Sequence, residues 1–579
     1  HGHYGLKSAT AKRAFRLPRR RSAIISHVAV ALNYEKRAMK NTPRGYPDLH
    51  EHLETLKAQG LLLTIDEPID KDAEMHALVR WQFVGGMEEK DRKAFLFTNI
   101  RDGRGRKYDM PVVVGAIAAN RAIYSVGMGA PVEQIQAKWD RAIAHPIKPV
   151  MFEKADCHDV VHEGAALQGE GKGLDMLPIP ISTPGFDSAP TLTATNVITR
   201  DPETGIQNMG TYRAALKAPD RLVVRMATRV GGAGGYQHYL KHQKRGDKWM
   251  PSAIVLGCPP YVAFMGPQKL PIGVDELDVA GGLAGAAIQI VKAKTVDLMV
   301  PAEAEIVIEG LIDTEYVEPE APFGESHGHV ALEEFNMPMK ITAITHRAKP
   351  VIPSYISQVA PSESSVIKRV AYEPLFLAHL RDALGVRGVK RVQLHEPLTG
   401  LLRVTIITIE KGTPRTEIWR ALYGAAYFKG DCSKICIAVN DDIDADNADT
   451  LLWAMAYRMN PVEDVQVLAH RGQGHGPKRE SDQEEDSTLL MDATMKGGMP
   501  PLALPKKEYM ERARVIWEKL GLPALRPQSP WFGYSLGDWM PQWDAAAKRA
   551  VEGNYLENGR ISEKQQQKGL KPETKFRPD

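Results

Sequence analysis

The chain is poor in cysteine. Four cysteines in 579 residues do not make a disulfide framework. Cys432 and Cys436 stand four apart with no second pair beside them to complete a zinc site. A reducing, cytoplasmic setting is the expectation. Long apolar runs are missing as well. The longest uncharged stretch, Trp249–Gln268, has 20 residues but holds Pro251, Pro259, Pro260 and Pro267, which argue against a membrane helix. The more apolar run Val279–Val291 has 13 residues, too few to span, so no membrane span is expected. No internal repeat and no low-complexity stretch is present. No G-x-G-x-x-G leads into a helix with a later acid, which counts against a nicotinamide-dependent flavin oxidoreductase.

Charge of one sign is scarce overall, with a formal net charge of +3, but it is unevenly spread. Residues 1–45 hold 11 Lys/Arg against one acid, Glu35, which leaves −7 on the remainder. Such an arm suits nucleic acid or an organelle address. The preferred reading is that residues 1–38 are an upstream extension without a structural role, because Met39-Lys40-Asn41 looks like a natural start. The mildly acidic body argues against a polyanion-binding enzyme, so no nucleic-acid partner is expected.

What is present is ordinary globular composition, 43% hydrophobic and 25% charged, in enough chain for several domains. Residues 46–165 read as α/β, with Leu49, Leu53 and Leu56 at helical spacing before a strand-like Leu61–Ile65. Residues 166–352 turn β-rich. Leu192–Thr199 and Gln207–Arg213 flank a turn at Asp201–Gly205 and predict a hairpin. Further strands are expected at Leu222–Arg225, Ala253–Gly257, Ala287–Val291 and Glu305–Glu309, with a helix at Val274–Gly285, and a barrel or compact sheet as the result. Residues 353–527 return to α/β, with strands Lys434–Asn440 and Val465–Leu468 around a helix Thr450–Met459. The tail, 528–579, carries Trp531, Phe532, Tyr534, Trp539 and Trp543, which predicts docking on another subunit or back on its own chain.

The chemistry-bearing segment is Glu320-Ala-Pro-Phe-Gly-Glu325-Ser-His327-Gly-His329, where two carboxylates flank a Pro-Phe-Gly turn. Crowded carboxylates separate in proton affinity, leaving an acid and an ion-pair partner. Asn208-Met-Gly-Thr-Tyr-Arg213 supplies an arginine suited to a carboxylate. On a regular strand Asn208 and Arg213 face opposite sides, unless Gly210 introduces a bulge. Arg225-Met-Ala-Thr-Arg229-Val-Gly231-Gly-Ala-Gly-Gly235 can cradle a phosphate with backbone N–H groups and charge, or is a plain glycine-rich turn. Gly472–Gly476 reads as a loop.

The order of these segments resembles the UbiD-type decarboxylases, which use prenylated flavin mononucleotide (prenylated FMN). The resemblance runs from about Tyr46 to about Leu522. It rests on Asn208–Arg213, Glu320–Glu325 with His327-Gly328, and Asp297–Gly310, and further on Asn440–Asp444, Trp453–Met459 and Asp492–Lys496. It implies a three-domain α/β architecture with a central, β-barrel-like flavin-binding domain and a C-terminal domain that supports a homo-oligomer, dimer or hexamer. By position, Arg213, Glu320 and Glu325 match the family's catalytic network, with Glu325 as proton donor and Glu320 paired with Arg213. Asn208 and Glu276 match two ligands of a divalent metal such as Mn2+ at the flavin phosphate, with K+ as a further ion. Thr211, Tyr212, Arg213, Arg225, Met226, Ala227, Gly231 and Lys434 match segments that line the flavin. The family's third metal ligand is a histidine, and Arg229 stands there. A guanidinium does not ligate a metal. Either Arg229 meets the phosphate directly and weakens the metal dependence, or His238 or His242 takes the ligand's place.

The implied activity is reversible non-oxidative decarboxylation of an aromatic or α,β-unsaturated acid, with the flavin as electron sink and a flavin prenyltransferase as its supplier. The alternative is an inactive homologue serving as a binding or assembly subunit, for which the Arg229 departure is the main support.

Overall fold

The protein is described from a computed structural model covering residues 44–226, 234–268, 270, 273–320, 322–331, 334–396, 402–428, 433–472, 485–526, 537–564 and 566. Residues 1–43 of the basic arm, Ala227, Arg229, Gly231 and the aromatics Trp531, Phe532 and Tyr534 lie outside these residues.

The first helix, Leu49–Ala58, begins where Asp48 accepts the Glu51 N–H while Glu51 accepts the Asp48 N–H. This reciprocal cap contributes about 1 kcal/mol. Leu49, Leu53 and Leu56 are buried, as their spacing predicts. Strand Leu62–Ile65 runs parallel to Ala94–Phe97, which pairs antiparallel with Val112–Val114. The fourth strand of this sheet is Ile352–Ser354, parallel to Val112–Val114 and more than two hundred residues later in sequence.

The central region is a ten-stranded sheet. Its pairing path runs Gln207–Gly210, Thr195–Arg200, Trp249–Leu256, Ile306–Asp313, Phe335–His346, Arg221–Val224, Ala214–Ala218, Thr191–Leu192, with Glu318–Pro319 and Val160–Glu163 also on Phe335–His346. The hairpin predicted around residues 201–205 is present, with Thr199 opposite Asn208. Of the barrel or compact sheet expected, the described residues form a sheet in which no pairing closes the path. The strand expected at Ala287–Val291 forms, as Gln289–Lys292, but outside this sheet, between Met299–Pro301 and Val150–Phe152. Two apolar clusters, one containing Val197, Ile254 and Ile308 and the other Ile198, Val255 and Val307, bury the two faces. The alternation along each strand sorts these residues.

A third region packs helices against a five-stranded sheet ordered Val389–Gln393, Val404–Ile409, Ile435–Asn440, Glu485–Asp492, Val465–Gly472. It includes the helix Ala448–Arg458. In the tail, the Asp538 N–H donates to the Met499 carbonyl at 2.7 Å and its carboxylate meets Lys411 at 3.1 Å. Asp538 thus contacts its own chain, while Trp539 and Trp543 stay partly exposed. No helix among the described residues is long and apolar enough to cross a membrane.

Candidate functional site

Strand Gln207–Gly210 ends at Gly210, and residues 211–213 form a bend before strand Ala214–Ala218. The Thr195 hydroxyl pins this bend by donating to the Tyr212 carbonyl at 2.7 Å and accepting the Tyr212 N–H at 3.2 Å. The Thr211 N–H donates to the Gly266 carbonyl at 3.2 Å. Arg213 is thus not a strand residue, contrary to the sequence expectation, and strand alternation does not decide where it points. The next turn brings Arg225 beside it. Ala214 pairs with Val224, and the Arg225 N–H donates to the Arg213 carbonyl at 3.0 Å.

The two carboxylates arrive from the other side. Glu320 follows the short strand Glu318–Pro319, and its N–H donates to the Glu334 carbonyl at 2.7 Å. Glu325 follows Phe323–Gly324, which pairs only with Val330–Ala331 among the described strands. The loop closes with the Glu325 N–H on the His329 carbonyl at 2.9 Å.

Arg213 binds both. Its Nε meets Glu320 Oε1 at 2.6 Å and its Nη2 meets Glu320 Oε2 at 3.0 Å, a two-pronged charge-assisted pair. Its Nη1 donates to Glu325 Oε1. Arg225 Nη1 approaches the same Glu325 oxygen at 3.2 Å, and its Nη2 lies 3.6 Å from Glu334. Asn336 Nδ2 donates to Glu320 Oε2 at 3.2 Å, and the Phe323 ring lies 4.5 Å from the Arg213 guanidinium. The side chains of Glu320, Glu325 and Arg213 are 2%, 9% and 11% exposed, so the network is nearly dry. Burial works against the charge on Arg213, but Glu325 and Glu320 together outweigh it and raise its pKa.

A second polar group lies along the same strand. The Met209 N–H donates to Glu276 Oε2 at 2.9 Å, which places this carboxylate next to Asn208. Glu276 sits in the first turn of helix Glu276–Ala284, behind the capping carboxylate of Asp275. Burial pushes Glu276 up to about 8, against the pull of its backbone hydrogen bonds. Helix Gly234–Arg245 starts directly over Asn208, since a Cβ on Gly234 would lie 1.9 Å from Asn208 Oδ1. A Cβ on Gly235 would crowd Met226 Sδ and the Tyr212 ring, both at 3.1 Å.

Three successive stretches match 3-octaprenyl-4-hydroxybenzoate carboxy-lyase domains: residues 53–143 the N-terminal domain, 149–359 the Rift-related domain and 366–493 the C-terminal domain. The chain belongs to the UbiD family. It has the three-domain UbiD architecture with mixed α/β content. An uncharacterized protein of Archaeoglobus fulgidus is 27% identical over 449 residues, 73% of this chain and 86% of its own. The UbiD-class enzyme HmfF from Pelotomaculum thermopropionicum, in complex with FMN, is similar at 28% identity and TM-score 0.67, over 79% of this chain and 95% of HmfF. An evolved dimeric form of HmfF in complex with prFMN gives 27% and 0.66, over 79% and 97%. The vanillic acid decarboxylase of Sedimentibacter hydroxybenzoicus shares the fold, with TM-score 0.64 at 24% identity, over 82% and 99%.

Asn208 and Glu276, the latter buried and accepting the Met209 N–H, are the residues that would hold the divalent ion that UbiD membership implies. Among the described residues no metal-holding cluster of three His, Cys, Asp or Glu side chains forms. A divalent ion held by Asn208 and Glu276 would take its other ligands from phosphate and water, as small hard cations do. The helix N-terminus at Gly234 offers backbone N–H groups for that phosphate. The two candidate replacement histidines have partners of their own. His238 is buried with Nδ1 2.8 Å from the Thr199 hydroxyl and is pushed down to about 4 by burial, and His242 pairs with Asp247 at 3.0 Å. Lys434 stands at the head of strand Ile435–Asn440, half-exposed and ion-paired with Asp486. The described contacts do not join it to the Arg213 network.

Sequence reasoning placed Arg225 only along the flavin and missed Asn336 and Glu334. Asn336 had a signal. It lies in a twelve-residue strand, Phe335–His346, where asparagine is disfavoured unless its side chain has a task.

Proposed function

We propose that this UbiD-family chain catalyses reversible, non-oxidative decarboxylation of an aromatic or α,β-unsaturated carboxylic acid with prenylated FMN. The observation that carries this reading is the nearly dry network in which Arg213 bridges Glu320 and Glu325. When bound, prenylated FMN supplies the sink for the electron pair that CO2 leaves behind. Thr211, Tyr212, Arg213, Arg225 and Met226, with Arg229, Gly231 and Ala227 outside the described residues, are the positions assigned to holding it. Asn208 and Glu276 would hold its metal.

The side chains divide the remaining work. Glu320, gripping Arg213 through two hydrogen bonds, fixes the plane of the guanidinium. Arg213 orients the carboxylate that leaves as CO2. Glu325 gives its proton to the carbon that lost CO2. Its carboxylate now faces Arg213 and Arg225. A substrate carboxylate that engages these guanidinium groups loosens their hold on Glu325 and lets it take up the proton it must deliver. Loss of CO2 and its addition share one transition state, so high CO2 drives the reverse reaction. The same reading includes a flavin prenyltransferase as cofactor supplier and a homo-oligomeric assembly.

The test uses protein co-produced with a flavin prenyltransferase. Mass spectrometry of the released cofactor should find prenylated FMN in near-stoichiometric amount, and a screen of aromatic and unsaturated acids should find CO2 release. A folded protein that binds only plain flavin, or none, would overturn the reading and favour a repurposed homologue.

A further inference from the structure

The hairpin that carries Glu325 is not part of the large sheet. Its strands, Phe323–Gly324 and Val330–Ala331, have two residues each and pair with one another. A hairpin this short does not hold its own position, yet a proton donor has to be placed to within a fraction of an ångström. Something outside the hairpin must hold it.

The turn at residues 183–187 does so. It is closed on itself, with the Asp187 N–H on the Thr183 carbonyl at 3.1 Å and the Thr183 N–H on Asp187 Oδ2 at 2.8 Å. The other carboxylate oxygen, Oδ1, accepts the N–H of Gly324 at 3.1 Å, one residue before Glu325. Asp187 is 8% exposed. Burial raises its pKa, while the Thr183 and Gly324 N–H groups and the charge of Arg213 work the other way. The seat is tight. A Cβ on Gly324 would lie 2.3 Å from Thr183 Oγ1 and 2.9 Å from Gln358 Cγ. Gln358 is itself held, its Oε1 accepting from Arg80 Nη2 at 2.9 Å, and Arg80 Nη1 also donates to the Val359 and Pro361 carbonyls at 2.7 and 3.0 Å.

We infer that Asp187 is a positioning residue for proton delivery, acting through the Gly324 N–H to set where Glu325 stands. The inference rests on the decarboxylase reading of Glu325. Its range is narrow: the Asp187 contacts are to Thr183 and the Gly324 N–H, so its loss is expected to affect the protonation step more than binding.

The experiment compares wild type, Asp187→Ala and Asp187→Asn as flavin-loaded full-length protein. Four quantities are read: melting temperature, kcat and KM on an acid found by the CO2 screen, the solvent deuterium isotope effect on kcat, and amide hydrogen exchange over residues 323–331. For Asp187→Ala the expected result is a kcat lower by about tenfold to a hundredfold with KM changed little. The isotope effect should be larger and exchange in the hairpin faster. Asp187→Asn keeps the shape and one acceptor oxygen, so it should recover part of the rate. If Asp187→Ala does not fold, an intermediate kcat with a raised isotope effect in Asp187→Asn carries the same conclusion. Faster hairpin exchange with unchanged kcat and isotope effect would overturn the inference, and so would unchanged exchange in a variant that folds. If the loaded wild type releases no CO2 from any acid, the decarboxylase reading fails instead, and the exchange data still decide whether Asp187 holds the hairpin.

Discussion

Arg213 and Arg225 are neighbours because the Arg225 N–H donates to the Arg213 carbonyl across the turn that joins Ala214–Ala218 to Arg221–Val224. One backbone hydrogen bond thus sets two guanidinium groups side by side, both facing Glu325. Like charges at this spacing repel, and the carboxylates of Glu320 and Glu325 offset the repulsion in a nearly dry setting.

Arg225 is therefore expected to act on Glu325 as well as on the flavin. Arg225→Gln should lower kcat by about tenfold to a hundredfold, the range for losing a hydrogen bond between charged groups. Steady-state kinetics alongside the ratio of bound flavin to protein checks this. A loss explained wholly by missing flavin would confine Arg225 to cofactor binding.

Glu325→Gln keeps the shape of the side chain and removes the proton. Turnover should fall by at least about a hundredfold, the lower bound for a positioned general acid, with the flavin spectrum nearly unchanged. Wild-type turnover in this variant would remove Glu325 from the mechanism.

Metal dependence should be weak. Arg229 stands where the resemblance places a third, histidine ligand, and a guanidinium does not ligate a metal. Dialysis against a chelator should strip divalent metal readily and leave much of the flavin bound. Stoichiometric manganese retained through that treatment would count against the prediction.

Acid should destabilise the fold through His76. This side chain is buried with Nε2 2.9 Å from the Ser354 hydroxyl, and burial, with a smaller push from Arg80, lowers its pKa from 6.5 to about 3. The unfolded chain takes up the proton first. Stability from this group is therefore complete above pH 6.5 and is lost as pH falls toward about 3, by roughly 1.4 kcal/mol per pH unit. His76→Gln should flatten the pH dependence of the urea midpoint across that window by about one proton. An unchanged slope would show that His76 is not the group responsible.

Much of the local structure was legible. Helix Leu49–Ala58, the hairpin around residues 201–205, helix Glu276–Ala284 and strand Ile435–Asn440 lie where spacing and turn residues put them. These elements depend on period and caps, which are local properties. Strand Gln289–Lys292 was also visible, but not the sheet it joins, because pairing partners are chosen by distant chain. Arg213 was visible as a partner for carboxylates, but not as a bend residue. Thr195 and Gly266, which pin that bend, are far from it in sequence.

The sequence by itself determined the membership in the UbiD family, the order of α/β, β-rich and α/β regions, and the residue types at Arg213, Glu320 and Glu325, since each is written in short runs of neighbouring residues. Only the tertiary structure decided that Arg225 shares Glu325 with Arg213, that Asn336 braces Glu320, that Asp187 grips the hairpin before Glu325, and that Ile352–Ser354 completes the N-terminal sheet. The reason is physical. Hydrogen bonds and ion pairs depend on distances in space, and the long strands that bring these groups together are paired by the burial of both sheet faces, a condition that no short stretch of sequence can express.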